Sequence, residues 1–300
     1  MRLTVVSGKG GVGKSMLASS LAVLFSKDKK VVAIDCDVDA PNLVLWLGID
    51  SSIKDNAVYS KKISTVEKPV IKNDKCTNCE KCVDVCNFGA LILDEEKKLK
   101  LIPYKCEGCG LCKIMCPQGA IEMEKVDNCT LSLYKTKKGF PVIQGQIEPG
   151  EAESGQAVTE IRKYADEVAD SNTFFIQDAA AGTGCPVIAS IVGSEYVVAV
   201  AEPSRSSFSD IKRVLDVVKK FNIPFGIVIN KYDLNGDISD EIIDYAGSNF
   251  LGTIKYNTGI IKSIVNLELV MDKCLDVKEE IVIIYKKILE RTSIITKETS

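Results

Sequence analysis

Gly8-Lys-Gly-Gly-Val-Gly-Lys-Ser15 decides the reading of this chain. The run before it, Arg2-Leu-Thr-Val-Val6, turns apolar as a buried parallel strand does. The run after it carries Leu17, Leu21, Leu24 and Phe25 at helical spacing. Strand, glycine loop and helix in that order form the context in which G-x-x-x-x-G-K-[ST] binds phosphate. Gly8, Gly10, Gly11 and Gly13 let the backbone N–H groups of the loop, Val12 included, turn inward on phosphate at a helix N-terminus. Lys14 is then placed to reach the β/γ-phosphates and Ser15 Oγ to ligate Mg²⁺, with Met16 closing the nucleotide-binding stretch.

Working outward, Val31-Val-Ala-Ile-Asp35, Thr173-Phe-Phe-Ile-Gln-Asp178, Tyr196-Val-Val-Ala-Val-Ala201 and Phe225-Gly-Ile-Val-Ile-Asn230 read as further strands. Phe208, Ile211, Val214, Leu215, Val218 and Phe221 fall at helical spacing between the last two, and packing accounts for all six. Strand alternating with helix predicts an α/β fold, a mostly parallel sheet covered by helices on both faces.

Eight of the twelve cysteines interrupt this pattern in two tandem C-x-x-C-x-x-C-x-x-x-C runs. The first is Cys76, Cys79, Cys82 and Cys86; the second is Cys106, Cys109, Cys112 and Cys116, followed by Pro117. Asp74-Lys-Cys to Cys86-Asn-Phe-Gly-Ala-Leu and Tyr104-Lys-Cys to Cys116-Pro-Gln-Gly-Ala-Ile are one unit written twice, separated by the solvated turn Asp94–Lys98. The spacing resembles that of two-cluster bacterial ferredoxins, whose runs each lend their fourth thiolate to the other cluster. That resemblance implies one [4Fe–4S] cluster on Cys76, Cys79, Cys82 and Cys116, and another on Cys106, Cys109, Cys112 and Cys86. Asn87 stands where the ferredoxin pattern has proline, which loosens a turn but removes no ligand. Cys₄ zinc also uses C-x-x-C pairs, but two runs of four with the longer last spacing favour iron–sulfur. Nine basic residues balance nine acidic ones over 71–125, so the negative charge of bound clusters is expected to dominate the local field. The expected division is a nucleotide-binding domain over 1–66 and 126–300, with an α+β ferredoxin-like insert over 67–125.

Lys9 makes the loop K-G-G-V-G-K-S, which resembles the deviant Walker A loop of the MinD/ParA/nitrogenase-iron-protein superfamily of ATPases. The resemblance implies that Lys9 reaches across a nucleotide-sandwich homodimer to the partner's phosphates, as an arginine finger does elsewhere. It further implies that Asp35-Cys-Asp37-Val-Asp39-Ala-Pro-Asn42 is switch I, with Asp37 positioning the attacking water, and Asp35 and Asp39 serving loop geometry or Mg²⁺-bound water. Asp178-Ala-Ala-Ala-Gly182 then matches switch II, Asp178 holding Mg²⁺ through water and the Gly182 amide sensing γ-phosphate; Ala180 replaces a common proline. Asn230 matches a residue that reads adenine in that family, whereas Asn230-Lys-Tyr-Asp233 also fits the guanine motif N-K-x-D, and the wider resemblance favours ATP. Cys185 lies seven residues beyond Asp178, where the nitrogenase iron protein has a cluster ligand. No cysteine follows Glu148-Pro-Gly-Glu151 to partner it, so Cys185 is expected to be buried; Cys36 lies inside switch I, and Cys129 and Cys274 are expected to be packing residues.

The chain has no histidine, which excludes imidazole bases and imidazole-held zinc. A net charge of −3 argues against non-specific nucleic-acid binding. The start of the chain reads as a strand, not a secretory signal, and no run reaches the ~18 apolar residues of a membrane span. The cytoplasm is the expected compartment. Three functions compete: an ATP-gated electron carrier with a redox partner, an assembly or carrier ATPase for iron–sulfur or metal cofactors, and a MinD-like positioning switch. The assembly class uses a C-terminal C-x-x-C pair, which this chain lacks after Cys116. The MinD class uses an amphipathic membrane helix. Here a helix is expected from about Asp276 to Ile294, with Ile281, Ile284, Ile288 and Ile295 fitting docking on the core and no stable membrane association.

Overall fold

The structure, a computed structural model, describes residues 1–151 and 154–298, with side chains except at 54 and beyond 293. Eleven strands are formed among these residues: β1 (Arg2–Ser7), β2 (Val31–Cys36), β3 (Ala57–Ile71), β4 (Leu91–Leu93), β5 (Leu99–Leu101), β6 (Ile121–Lys135), β7 (Pro141–Ile147), β8 (Phe174–Ala181), β9 (Tyr196–Ala201), β10 (Phe225–Asn230) and β11 (Phe250–Ile254). The helices are α1 (Lys14–Phe25), α2 (Leu43–Trp46), α3 (Lys81–Asp84), α4 (Leu111–Met115), α5 (Ser154–Glu167), α6 (Cys185–Ile191), α7 (Arg205–Lys220), α8 (Gly236–Ala246), α9 (Thr258–Val265), α10 (Val270–Lys273) and α11 (Leu275–Glu298).

Nine strands form one sheet in the order β11-β10-β9-β1-β8-β2-β7-β6-β3. The pairs from β11 to β7 are all parallel, as the crossover helices between them require. Alternate residues of β1 serve opposite layers. Leu3 and Val5 join one core with α1, α10 and α11, while Val6 joins a second with α7 and α8. A third core lies under α5 and α6. Helix α1 is buried on every side because α11 covers it from outside, with Ile281, Ile284 and Ile288 fully enclosed. That face of α11 docks on the core, as its spacing suggested; Ile295 lies outside the residues with described side chains. The helix runs on to Glu298, beyond the expected end near Ile294. Among the described residues no helix is long and apolar enough to cross a membrane. Phe221 corrects the expected packing of α7: it follows the helix as its C-cap and is exposed, while the other five residues are buried.

Sequence periodicity did not reveal how the cysteine segment is mounted. β3 and β6 are both 15 residues long and pair antiparallel along their length, from Ala57↔Tyr134 to Ile71↔Ile121. β6 also pairs antiparallel with β7, ending at Cys129↔Ile147. Residues 64–71 and 121–128 therefore project past the end of β7 as a two-stranded ribbon, with the cysteine segment at its tip. The expected boundaries at residues 66/67 and 125/126 fall inside these strands. Where the ribbon leaves the sheet, β3 shifts register around Ser64 and Thr65. Asn128 Oδ1 spans that irregularity, accepting from Thr65 N at 2.8 Å and Thr65 Oγ1 at 3.0 Å. At the tip, β4 and β5 form a separate hairpin, and Leu91, Leu99 and Ile121 make a small core of their own. Asp94 closes the turn between them, accepting from Glu96 N and Lys98 N.

Candidate functional site

The carboxyl ends of β1, β2, β8 and β10 meet at one cavity, the usual ligand position in an open parallel sheet. Gly10, Gly11, Gly13, Lys14, Ser15, Met16, Asp37 and Asn230 line it, and its volume is about 630 Å³. The loop keeps its inward face clear. Gly11 and Gly13 have φ of +79° and +97°, which glycine adopts without strain, and nothing lies within 4 Å of a Cβ added at Gly10 or Gly11. Gly8 and Gly13 are tight on their outer sides. A Cβ at Gly8 would strike Asp210 of α7, and one at Gly13 would strike Asn230 Nδ2.

Behind the loop, register places Asp35 of β2 directly beside Asp178 of β8, both fully buried. Lys14 Nζ lies 2.6 Å from Asp178 Oδ1. Burial alone would lower the Lys14 pKa, but Asp178, Asp35 and Asp37 outweigh it and hold the ammonium above its usual range. Asp178 Oδ2 is buried without a hydrogen-bond partner among the described residues. Asp35 accepts from the backbone N–H of Asp37, Asn42 and Leu43 at 3.1, 2.9 and 2.8 Å, so it shapes the loop over 37–43. Its pKa is raised, by burial first and by Asp178 second. Burial also raises that of Asp37, which Lys14 opposes. Asp39 is exposed and does not line the cavity.

Several expected contacts are engaged otherwise in this structure. Lys9 Nζ lies 2.6 Å from Glu202 Oε1, on the outer side of the loop. The Gly182 amide donates to Ser7 O at 2.9 Å. Asn230 donates to Val12 O at 2.8 Å and accepts from Lys231 N at 3.0 Å, so it clamps the loop from beneath. Asp233 does not line the cavity, and its Oδ1 accepts from Tyr256 N at 2.7 Å. That bond steadies Lys255-Tyr-Asn257, which with Ile260 and Trp46 lines the end of the cavity away from Lys14 and Ser15. Sequence reasoning missed this segment because a loop after a strand carries no periodicity.

The eight clustered thiols ring two further cavities. Cys76, Cys79, Cys82 and Cys116 line one; Cys86, Cys106, Cys109 and Cys112 line the other. Each cavity thus draws three thiols from one run and the fourth from the other. Among the described residues no group of three or more His, Cys, Asp or Glu is arranged to hold a metal ion. Burial pushes the Cys82 thiol up to about 11, with Cys116, Cys76 and Cys112 as the nearby thiols that add to it. Backbone N–H groups also point at sulfur: Ala90 N lies 3.3 Å from Cys86 Sγ, and Ala120 N lies 3.2 Å from Cys116 Sγ. At Cys86 burial works upward, but donors from Ala90, Phe88, Leu91 and Gly89 outweigh it and lower the pKa. The repeat is preserved in the backbone. Asn78 and Gly108, Glu80 and Gly110, and Gly89 and Gly119 occupy matching left-handed positions.

The remaining cysteines divide. Cys36, Cys129 and Cys274 are buried, and burial pushes Cys36 up to about 12. Cys185 corrects the sequence expectation: it is exposed, because it opens α6 shortly after β8 rather than packing beneath it. Its Cβ lies 3.0 Å from where a Cβ on Gly155 would stand.

A parallel sheet whose first strand feeds a glycine loop and a buried helix, with paired carboxylates behind the loop, defines a P-loop nucleotide-binding protein. The chain belongs to the MinD/ParA-like ATPase family: residues 3–270 match the CobQ/CobB/MinD/ParA nucleotide binding domain. An uncharacterized protein of Methanocaldococcus jannaschii is 37% identical over 97% of both chains. The septum site-determining protein MinD of Helicobacter pylori is 36% identical over 33% of this chain and 38% of its own. Among solved structures, MinD of Pyrococcus horikoshii complexed with Mg-ADP shares the fold with a TM-score of 0.60, covering 98% of each chain at 17% identity.

Proposed function

We propose that this protein binds and hydrolyses ATP as a sandwich homodimer, and that its nucleotide state controls electron transfer through two [4Fe–4S] clusters. One observation carries the second half: the two crossed sets of four thiols, each around its own cavity, on a ribbon continuous with the nucleotide-binding sheet. The residues fit such clusters in number and spacing, and in the N–H donors that face Cys86 and Cys116. Bound there, the clusters would supply one-electron storage and transfer. The chain's own part is to hold the thiolates, donate hydrogen bonds to sulfur, and bury one wall of each site against Leu91, Leu99 or Ile121.

At the nucleotide, Lys14 and the open amides of the loop bind phosphate, Ser15 and the unpartnered Oδ2 of Asp178 suit Mg²⁺ and its water, and Asp37 orients the attacking water. The engagement of Asp233 with Tyr256 N favours ATP over GTP, since it occupies a carboxylate oxygen that guanine reading needs. Lys9 acts across the dimer, which requires it to leave Glu202.

Anaerobically prepared protein is expected to contain iron and inorganic sulfide in equal amounts, and Cys116→Ser to lose about half of each. Zinc in their place, or absence of sulfide, contradicts the cluster reading. Asp37→Asn is expected to bind ATP, read through the emission of Trp46 in the cavity, yet lose turnover. Unchanged turnover in that variant removes Asp37 from the mechanism.

A further inference from the structure

The two thiol cavities are not equivalent in their attachment. Gly108, between Cys106 and Cys109, packs so closely on the ribbon that an added Cβ would lie 2.8 Å from both Glu67 O and Val66 Cγ2. Pro69 of the ribbon lines the cavity of Cys86, Cys106, Cys109 and Cys112, whereas the other cavity is closed by Ala120 and Ile121 at the ribbon's tip. The first of these is the proximal cavity, nearer the nucleotide-binding sheet.

Beside it sits Lys68, on β3, buried although it is a lysine. Its ammonium donates to Pro103 O at 2.9 Å and to Glu151 Oε1 at 2.8 Å, with Glu151 Oε2 at 2.6 Å completing the ion pair. Pro103 opens the single turn Pro103–Lys105 that leads directly into Cys106. Glu151 ends the turn after β7, where its N–H donates to Glu148 O. One ammonium thereby joins three segments distant in sequence: the ribbon, the entry to the proximal thiols, and the turn after β7.

That turn touches the nucleotide machinery. Ile147, the last residue of β7, donates its N–H to Val38 O at 3.0 Å, and Val38 adjoins Asp37 in switch I. On the other side of the turn, Gly155 at the start of α5 packs on Cys185, which follows switch II. Removing a lysine from water is costly unless its donors are satisfied, so any shift of Glu151 or Pro103 that left the ammonium unpaired would be penalised. These contacts form a continuous path from Val38 through Ile147 and the turn to Glu151, and from Glu151 through Lys68 to Pro103 and Cys106.

We infer that Lys68 is a positioning residue that couples switch I to the proximal thiol loop, through its joint hold on Glu151 and Pro103. The inference rests on the nucleotide–cluster coupling proposed above and assigns it a route.

Its test uses the full-length protein with clusters in place, comparing ADP·Mg²⁺ with ATP·Mg²⁺ in wild type, Lys68→Met and Glu151→Gln. Amide hydrogen exchange over residues 100–112 and the midpoint potential of each cluster are the readouts. Trp46 emission verifies that each variant still binds nucleotide. In wild type, ATP is expected to change exchange over 103–109 and to shift one potential. Both variants are expected to lose these differences while keeping the nucleotide response of Trp46. Glu151→Gln, which lies outside the thiol segment, serves should Lys68→Met fail to fold. If the differences persist undiminished in the variants, Lys68 is not the link. If wild type shows none, the coupling itself fails, and the route with it.

Discussion

Lys9 and Lys14 show how one loop separates two tasks. Lys14 is buried against Asp178 and faces the cavity, while Lys9 turns outward to Glu202, which also holds Lys231 at 3.2 Å. Glu202 is kept ionised below its usual range: burial opposes this, but the two lysines prevail. With Lys9 directed away from its own phosphate cavity, Lys9→Ala is expected to leave ATP binding by the single chain nearly intact. Its turnover should fall on the order of 10³-fold, the scale of a missing finger residue. Titration of Trp46 emission and phosphate release measure the two effects; equal losses in both would place Lys9 in its own subunit's site. Asp233 gives a second residue-scale outcome. It holds Tyr256 N and does not line the cavity, so Asp233→Asn is expected to weaken ATP modestly without creating or abolishing a preference for GTP. Competition binding of the two nucleotides decides this.

Among the elements, the ribbon of β3 and β6 sets how the thiol segment meets the ATPase. Gly108 and Gly110 provide a controlled comparison, since both have left-handed φ, +69° and +74°. Only Gly108 faces backbone, at Glu67 O, while nothing lies within 4 Å of a Cβ on Gly110. Gly110→Ala is expected to cost about 1–2 kcal/mol, the conformational penalty alone. Gly108→Ala should cost more and lower the occupancy of the proximal cluster selectively. Denaturant unfolding and iron content test the pair; equal costs would mean that the loop is not pressed against the ribbon.

The same elements explain what the sequence could reveal. The phosphate loop was legible because its function demands glycine at fixed places between an apolar strand and an apolar helix. The thiol runs were legible because C-x-x-C spacing is local, and so was their duplication. The ribbon was not. Lys61, Lys62, Glu67, Lys68 and Pro69 spoil any alternation in β3, whose pairing depends on a partner beginning at Ile121. Lys68 in particular reads as a solvated lysine until Glu151 and Pro103 are seen around it. Cys185 erred in the other direction: a cysteine is usually buried, but the helix it opens begins at the surface.

For the whole molecule, the nucleotide cavity lies at one end of the nine-stranded sheet and the two thiol cavities lie toward the tip of the ribbon that extends it, with the turn after β7 bonded to that ribbon through Glu151 and Lys68. Hydrogen bonds from sulfur's neighbours and nearby charge set the potential of an iron–sulfur centre. Movement of that turn therefore has a physical means of changing the proximal site, while the distal site lies further along the ribbon. The most direct test is an anaerobic redox titration of the full-length protein, following both clusters spectroscopically with ADP·Mg²⁺ and then with ATP·Mg²⁺. The account predicts that ATP shifts the midpoint potential of the cluster lost in Cys106→Ser and leaves the one lost in Cys76→Ser nearly unchanged. Two potentials indifferent to the nucleotide would contradict it.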